Sequence, residues 1–235
     1  MRLAGGLALA VSGSVLLAVP ATAAKPAPPA GVTRDWTHDY AATTEGGFRM
    51  GNPKAKIAIV EYGSLTCPHC RHFAETAMKP LLNNYVRTGR ASYEFRPFLL
   101  NGLDLAATLV ARCDGPARFF PMAEQLYATQ PEWMGKLEHL SKEEQAKLSA
   151  LPNDQLLLEM AKRTGLLSIG AAHGIPATRA EACLKDQKAA DALAKIEQAG
   201  IALGVEGTPS IFVNGKKVAA YDWNSLQPFL KEAGG

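Results

Sequence analysis

The spacing of apolar residues changes several times along this chain, and each change marks an element. Lys56 to Tyr62 (KIAIVEY) is a short β-branched run, which predicts a buried strand. Gly63-Ser64 interrupts it. Beyond Cys67, the residues Phe73, Ala77, Leu81 and Tyr85 recur at every fourth position and form one face of a helix ending near Gly89. Pro80 lies inside this helix and should kink it. Residues 91–100 (ASYEFRPFLL) return to a strand pattern, and strand, helix, strand is the unit that builds a parallel pair by a right-handed crossover.

Residues 103–200 keep helical spacing and predict four or five helices. Ser141-x-x-Glu144 and Thr178-x-x-Glu181 read as capping boxes, Asn153 as the cap of a helix carrying Leu156, Leu157 and Met160, and Gly165 as its stop. The chain then goes back to strands at Ser210–Val213 and Lys216–Ala219. Asn214-Gly215 between them is a strong hairpin signal, because both turn positions need positive φ. Residues 223–233 close the chain with a helix whose apolar face carries Leu226, Phe229 and Leu230. The predicted order is β-α-β, helical block, β-β-α, an α/β fold in which an all-helical segment (103–200) divides 41–102 from 201–235. No internal repeat is visible.

The N-terminus bears on compartment. Met1-Arg2 is a short basic start, residues 3–19 are apolar or small, and Ala21-Thr22-Ala23 is a small-x-small cleavage pattern. A run so rich in Gly, Ala and Ser is marginal for crossing a hydrocarbon layer of about 30 Å. Residues 1–24 are therefore expected to be a signal peptide, and the Pro-rich residues that follow, to position 40, a flexible arm. The formal charge of +3 comes from 25 basic residues interleaved with 22 acidic ones, which argues against a nucleic-acid partner.

Four cysteines, Cys67, Cys70, Cys113 and Cys183, allow three pairings in an exported chain. A mature chain of this size does not need disulfides for lack of a core, so at least one pair is expected to be there for its chemistry. In Cys67-Pro68-His69-Cys70, the strand and short loop put Cys67 at a helix N-terminus. Pro68 fits the first helical position, where a missing N–H costs nothing. Unpaired amides and the helix dipole favour a thiolate at Cys67, and His69 can add a donor or positive charge. Three readings compete. A static disulfide closing so small a ring adds little loop-entropy stabilisation. A structural zinc site needs four ligands and a second close pair, which is missing. A redox-active dithiol meets neither objection.

Residues 50–73 (MGNPKAKIAIVEYGSLTCPHCRHF) resemble the start of bacterial DsbA-like thiol:disulfide oxidoreductases. The resemblance implies a thioredoxin-like fold with an inserted helical domain, and in element order it covers nearly all of the mature chain. It implies catalytic roles for Cys67 and Cys70, tuning by Pro68 and His69, and a buried acid at Glu61 assisting proton transfer at the second cysteine. Gly207-Thr208-Pro209-Ser210 stands where the family carries a cis-proline facing the cysteines, with the Thr208 backbone free to pair with an extended substrate. Cys113 and Cys183 lie outside the family motif. They read as two buried thiols or, in an oxidising compartment, as a structural disulfide contributing at most roughly 4 kcal/mol through loop entropy.

The implied activity is oxidation of reduced exported proteins in the periplasm, with no cofactor and no metal. A membrane quinone reductase of the DsbB kind would re-oxidise the pair, and a monomer is expected. A disulfide isomerase or reductase of the same fold is the alternative, and a peptide-binding chaperone with incidental cysteines is a third. His38, His139 and His173 are scattered and read as surface or helix-end residues.

Overall fold

Two parallel strands, β3 (Ile57–Gly63) and β4 (Ala91–Pro97), lie at the centre of a six-stranded sheet of order β1-β2-β4-β3-β5-β6. The computed structural model describes residues 34–234 together with Met1, so the expected signal and residues 25–33 of the arm lie outside the described residues. The hairpin of β5 (Ser210–Val213) and β6 (Lys216–Val218) pairs antiparallel with β3. Asn214 and Gly215 both take positive φ, 49° and 79°, as that turn requires. On the other side, β1 (Tyr40–Ala42) and β2 (Phe48–Gly51) add antiparallel to β4.

The sequence reading lacks β1 and β2, both too short for a period of two to show. It also assigned 34–40 to a flexible arm. There the chain makes a 3₁₀ turn (Trp36–His38), begins β1 at Tyr40, and packs Trp36 beside Gly89. The helical run after the cysteines alternates between α1 (Pro68–Phe73), a π-helical turn (Ala74–Met78), α2 (Lys79–Leu81) and a second π-helical turn (Leu82–Val86). The irregularity expected from Pro80 thus takes the form of π turns flanking it, one way a helix accommodates a missing donor. Phe73, Ala77, Leu81 and Tyr85 are all buried.

Eight helices, more than the four or five expected, fill the stretch between β4 and β5. They are α3 (Gly102–Arg112), α4 (Pro116–Ala128), α5 (Gln130–Glu138), α6 (Lys142–Ser149), α7 (Asn153–Thr164), α8 (Leu166–Ala172), α9 (Ala177–Leu184) and α10 (Gln187–Ala202). Apolar periodicity runs through their junctions, so it hides the breaks at Gly115-Pro116, Thr129 and Gly174. The Ser141/Glu144 capping box forms, and Gly165 ends α7 in the left-handed region. The Thr178 box does not form, because Pro176 is the extended residue at the start of α9 and Thr178 already lies within the helix. Asn153 likewise stands inside α7, behind Pro152. Helix α11 (Trp223–Glu232) closes the chain.

Alternate residues of β3 face opposite sides of the sheet. Tyr62 meets α10, whose Gly200 leaves no room for a Cβ beside that ring. Glu61 faces the other side, where the helical run 68–86 and α4 cover the sheet. Phe119 of α4 packs its ring against Phe48, Phe95 and Phe120 at centroid distances of 5.4, 5.2 and 5.3 Å. Fully burying each such ring is worth about 1.5–3 kcal/mol. The helical block is thereby fastened to the sheet through α4.

Cys113, at the end of α3, is disulfide-bonded to Cys183 of α9, 70 residues away. Replacing both with Ala is expected to lower stability by about 2–4 kcal/mol, because a long loop in the unfolded chain is released. Urea denaturation checks this, and an unchanged midpoint refutes it.

Candidate active site

Cys67 is the last residue before α1, with extended backbone (φ −80°, ψ 122°), and Pro68 takes the first helical position. Its carbonyl accepts the first rung of the helix from Arg71 N–H at 3.1 Å. Cys70 lies one turn further on the same helix and is fully buried, while Pro68 and His69 are exposed. The Ser64 N–H reaches Cys70 Sγ at 3.5 Å.

The two sulfurs sit in opposite electrostatic environments. Cys67 is held down to a pKa of about 5, first by the hydrogen bond from Cys70 and then, against some desolvation, by Thr208 and by the backbone amides of Cys70 and His69. Those amides make no full hydrogen bond to Sγ, but they lie close enough to stabilise a charge on it. His69 therefore acts through its main-chain N–H. Cys70 is pushed well above the ordinary thiol range, mainly by burial, then by its bond to Cys67 and the nearby Glu61 charge.

The Thr208-Pro209 peptide is cis and faces Cys67. The Thr208 carbonyl lies 3.3 Å from Cys67 Sγ and can accept only from the protonated thiol. Among the described residues the Thr208 hydroxyl has no other partner, and it can donate to the thiolate where the carbonyl cannot.

Glu61 is 2 % exposed. Tyr93 Oη donates to its Oε2 at 2.5 Å, and Oε1 has no partner among the described residues. Burial pushes its pKa up to about 7, with the Tyr93 bond opposing and the Cys67 charge adding. Its carboxyl lines a cavity of about 790 Å³ walled by Met78, Phe95, Phe119 and Phe120. Gly63 is needed beside it, because a Cβ there would meet Glu61 Oε1 at 2.8 Å and the Phe95 ring at 2.5 Å.

Asp104, absent from the sequence reading, is fully buried and pushed up to about 6, chiefly by burial. Its Oδ1 accepts from Leu65 N–H and its Oδ2 from Leu100 N–H, both at 3.0 Å. The one signal that could have found it is Asn101, three residues earlier, which caps α3 at Asp104 N–H. Cys67, Cys70, Thr208, Pro209 and Glu61 thus come together, whereas Cys113 and Cys183 form their bond elsewhere, between α3 and α9.

The chain that carries this site is similar to known proteins over most of its length. Residues 43–232 match the family described as thioredoxin. The chain belongs to the thioredoxin family. A protein of Rickettsia bellii provisionally named protein-disulfide oxidoreductase is 29% identical over 190 residues, 80% of this chain and 65% of that protein. A Rickettsia felis protein of the same name is 28% identical over 185 residues, 78% and 59% of the two lengths. The chain therefore spans less than two thirds of these relatives. Among solved structures, a protein-disulfide isomerase from Novosphingobium aromaticivorans is similar at a TM-score of 0.73 and 29% identity, over 80% of this chain and 97% of that one. Wolbachia pipientis alpha-DsbA1 shares the fold at a TM-score of 0.63 and 22% identity, over 79% and 89%. The fold of this thioredoxin-family chain is DsbA-like, with the helical insertion.

Two pH dependences follow for this thioredoxin-family site. The Cys67 pKa is lowered on folding, so ionisation stabilises the reduced fold fully above the unfolded thiol's value near 8.5, and the contribution is lost as pH falls through about 5. Thiolate absorbance of the reduced protein should show one transition near pH 5, and a single transition in the free-thiol range refutes it. The Glu61 pKa is raised, so its contribution is complete below the unfolded carboxyl's value and lost as pH rises through about 7. Denaturation of Glu61→Gln and the parent across this range should show the parent losing about 3 kcal/mol relative to the variant. Parallel pH–stability curves contradict it.

Proposed function

We propose that this chain is a thiol:disulfide oxidoreductase that introduces disulfides into reduced exported proteins. The observation that carries this reading is the asymmetry of the pair: Cys67 is stable as a thiolate, and Cys70 is not. A stabilised thiolate favours the reduced pair, which makes the Cys67–Cys70 disulfide a strong oxidant.

In the oxidised enzyme a substrate thiolate attacks Cys67 Sγ. The Cys67–Cys70 bond breaks, and Cys70 leaves with the electron pair and takes up a proton. Glu61, half-protonated near neutral pH and close enough for its charge to act on Cys70, is the group suited to supply that proton. A second substrate thiolate then attacks the substrate sulfur of the mixed disulfide, and Cys67 departs as a thiolate. The substrate leaves with one disulfide, and two electrons remain on the cysteine pair. In this reading the Thr208 backbone pairs with an extended substrate segment by strand addition.

The N-terminal signal pattern and the DsbA-like fold support action in the periplasm by a monomer, with re-oxidation by a membrane quinone reductase of the DsbB kind. Isomerase activity is a second reading, favoured by the likeness to the Novosphingobium aromaticivorans protein-disulfide isomerase.

Equilibration with glutathione tests the reading. A potential near the roughly −120 mV of strong oxidases supports it, and one near the roughly −270 mV of thioredoxin overturns it. The Cys67→Ser variant should lose all thiol oxidation while keeping the fold. Scrambled ribonuclease separates the second reading: efficient reshuffling together with slow oxidation of reduced substrate assigns the chain as an isomerase.

A further inference from the structure

The backbone that delivers Cys67 is held from outside its own domain. Gln130, at the start of α5, donates both Nε2 protons to the loop: to the Leu65 carbonyl at 2.9 Å and to the carbonyl of Cys67 itself at 3.1 Å. Tyr127 of α4 donates from Oη to the Ser64 carbonyl at 3.1 Å. Asp104 of α3 takes the Leu65 N–H. All three side chains are buried, at 3 %, 6 % and 0 % exposure. Three helices of the insertion therefore satisfy four backbone groups of the four residues Ser64–Cys67.

Buried backbone groups need partners in any fold, but one of these bonds falls on the reactive cysteine's own carbonyl. Cys67 has no side-chain cap bond, so its own sulfur does not fix how its peptide meets the helix. Its carbonyl already accepts from Arg71 N–H, and Gln130 adds a second donor to the same oxygen. That second bond restrains the tilt of the Cys67–Pro68 peptide, which adjoins the Cα that carries Sγ. Misplacement by a fraction of an ångström weakens stabilisation that depends on aimed dipoles.

We propose that Gln130, assisted by Tyr127, is a positioning residue for Cys67, so that the helical insertion is a working part of the redox centre. The inference rests on the thiolate reading above, and neither residue touches the reacting sulfurs. The isosteric Gln130→Met variant of the full chain removes both donors, and Tyr127→Phe removes one oxygen.

Each variant is compared with the parent by thiolate titration, by equilibration with glutathione, and by denaturation of the oxidised form. Gln130→Met should move the Cys67 midpoint up by about one pH unit and weaken oxidation of glutathione about tenfold. Tyr127→Phe should move both in the same direction by about threefold. Variants that lose stability but keep the parent's midpoint and equilibrium constant overturn the proposal, leaving Gln130 a packing residue. If Gln130→Met does not fold, Tyr127→Phe decides alone, and an unshifted midpoint there is a refutation. A parent that itself titrates as a free thiol refutes the underlying thiolate reading, which the parent measurement alone distinguishes.

Discussion

Among the described residues, the negative charge on Cys67 is held without a cationic side chain. Every group that lowers its pKa is a neutral dipole: the Cys70 thiol, the Thr208 side chain, and two main-chain N–H groups. Dipoles act only over short distances and only when aimed, so the charge places a demand on geometry that a lysine nearby would relax. Much of the surrounding structure answers it. The proline at the first helical position, the cis peptide of Thr208-Pro209, and the insertion's hold on Ser64–Cys67 each orient a group toward one sulfur.

The same charge links the sulfur to two buried carboxyls on different elements. Glu61 on β3 and Asp104 on α3 are both raised chiefly by burial, and the Cys67 thiolate adds to each. Reduction of the pair therefore changes how tightly both acids hold their protons. When Cys70 is the departing group Cys67 is in a disulfide and uncharged, so it is burial, the largest cause of the raised Glu61 pKa, that keeps a proton close to Cys70 at that step.

Much of this was legible in the sequence because chemistry and topology wrote it in local terms. The strand run KIAIVEY, the fourfold spacing from Phe73 to Tyr85 and the Asn214-Gly215 turn each encode a period or a φ requirement within a few residues. Pro68 marks the helix start beside Cys67. What stayed hidden depends on contacts between distant residues. β1 and β2 are too short to show alternation, and their pairing with β4 is a tertiary fact. Asp104, Tyr127 and Gln130 lie 37, 60 and 63 positions beyond Cys67, inside helices whose spacing reads as plain core. A buried glutamine bonded to carbonyls of a distant loop carries no pattern of its own.

Asymmetry between the two sulfurs also bears on the direction of the proposed exchange. A mixed disulfide at Cys67 has two fates. Attack by Cys70 on Cys67 regenerates the oxidised pair and releases the substrate still reduced. Attack by a second substrate thiolate on the substrate sulfur releases it oxidised. Both routes need a thiolate, and Cys70 is the poorer candidate, because burial and the Glu61 charge keep it protonated well above the ordinary thiol range. In the forward route the leaving group is Cys67, the more stable thiolate, and a leaving thiol of low pKa departs faster. One electrostatic arrangement would thus slow the return path and speed the productive one, so the bias that the proposed oxidase role requires can come from the unequal surroundings of Cys67 and Cys70.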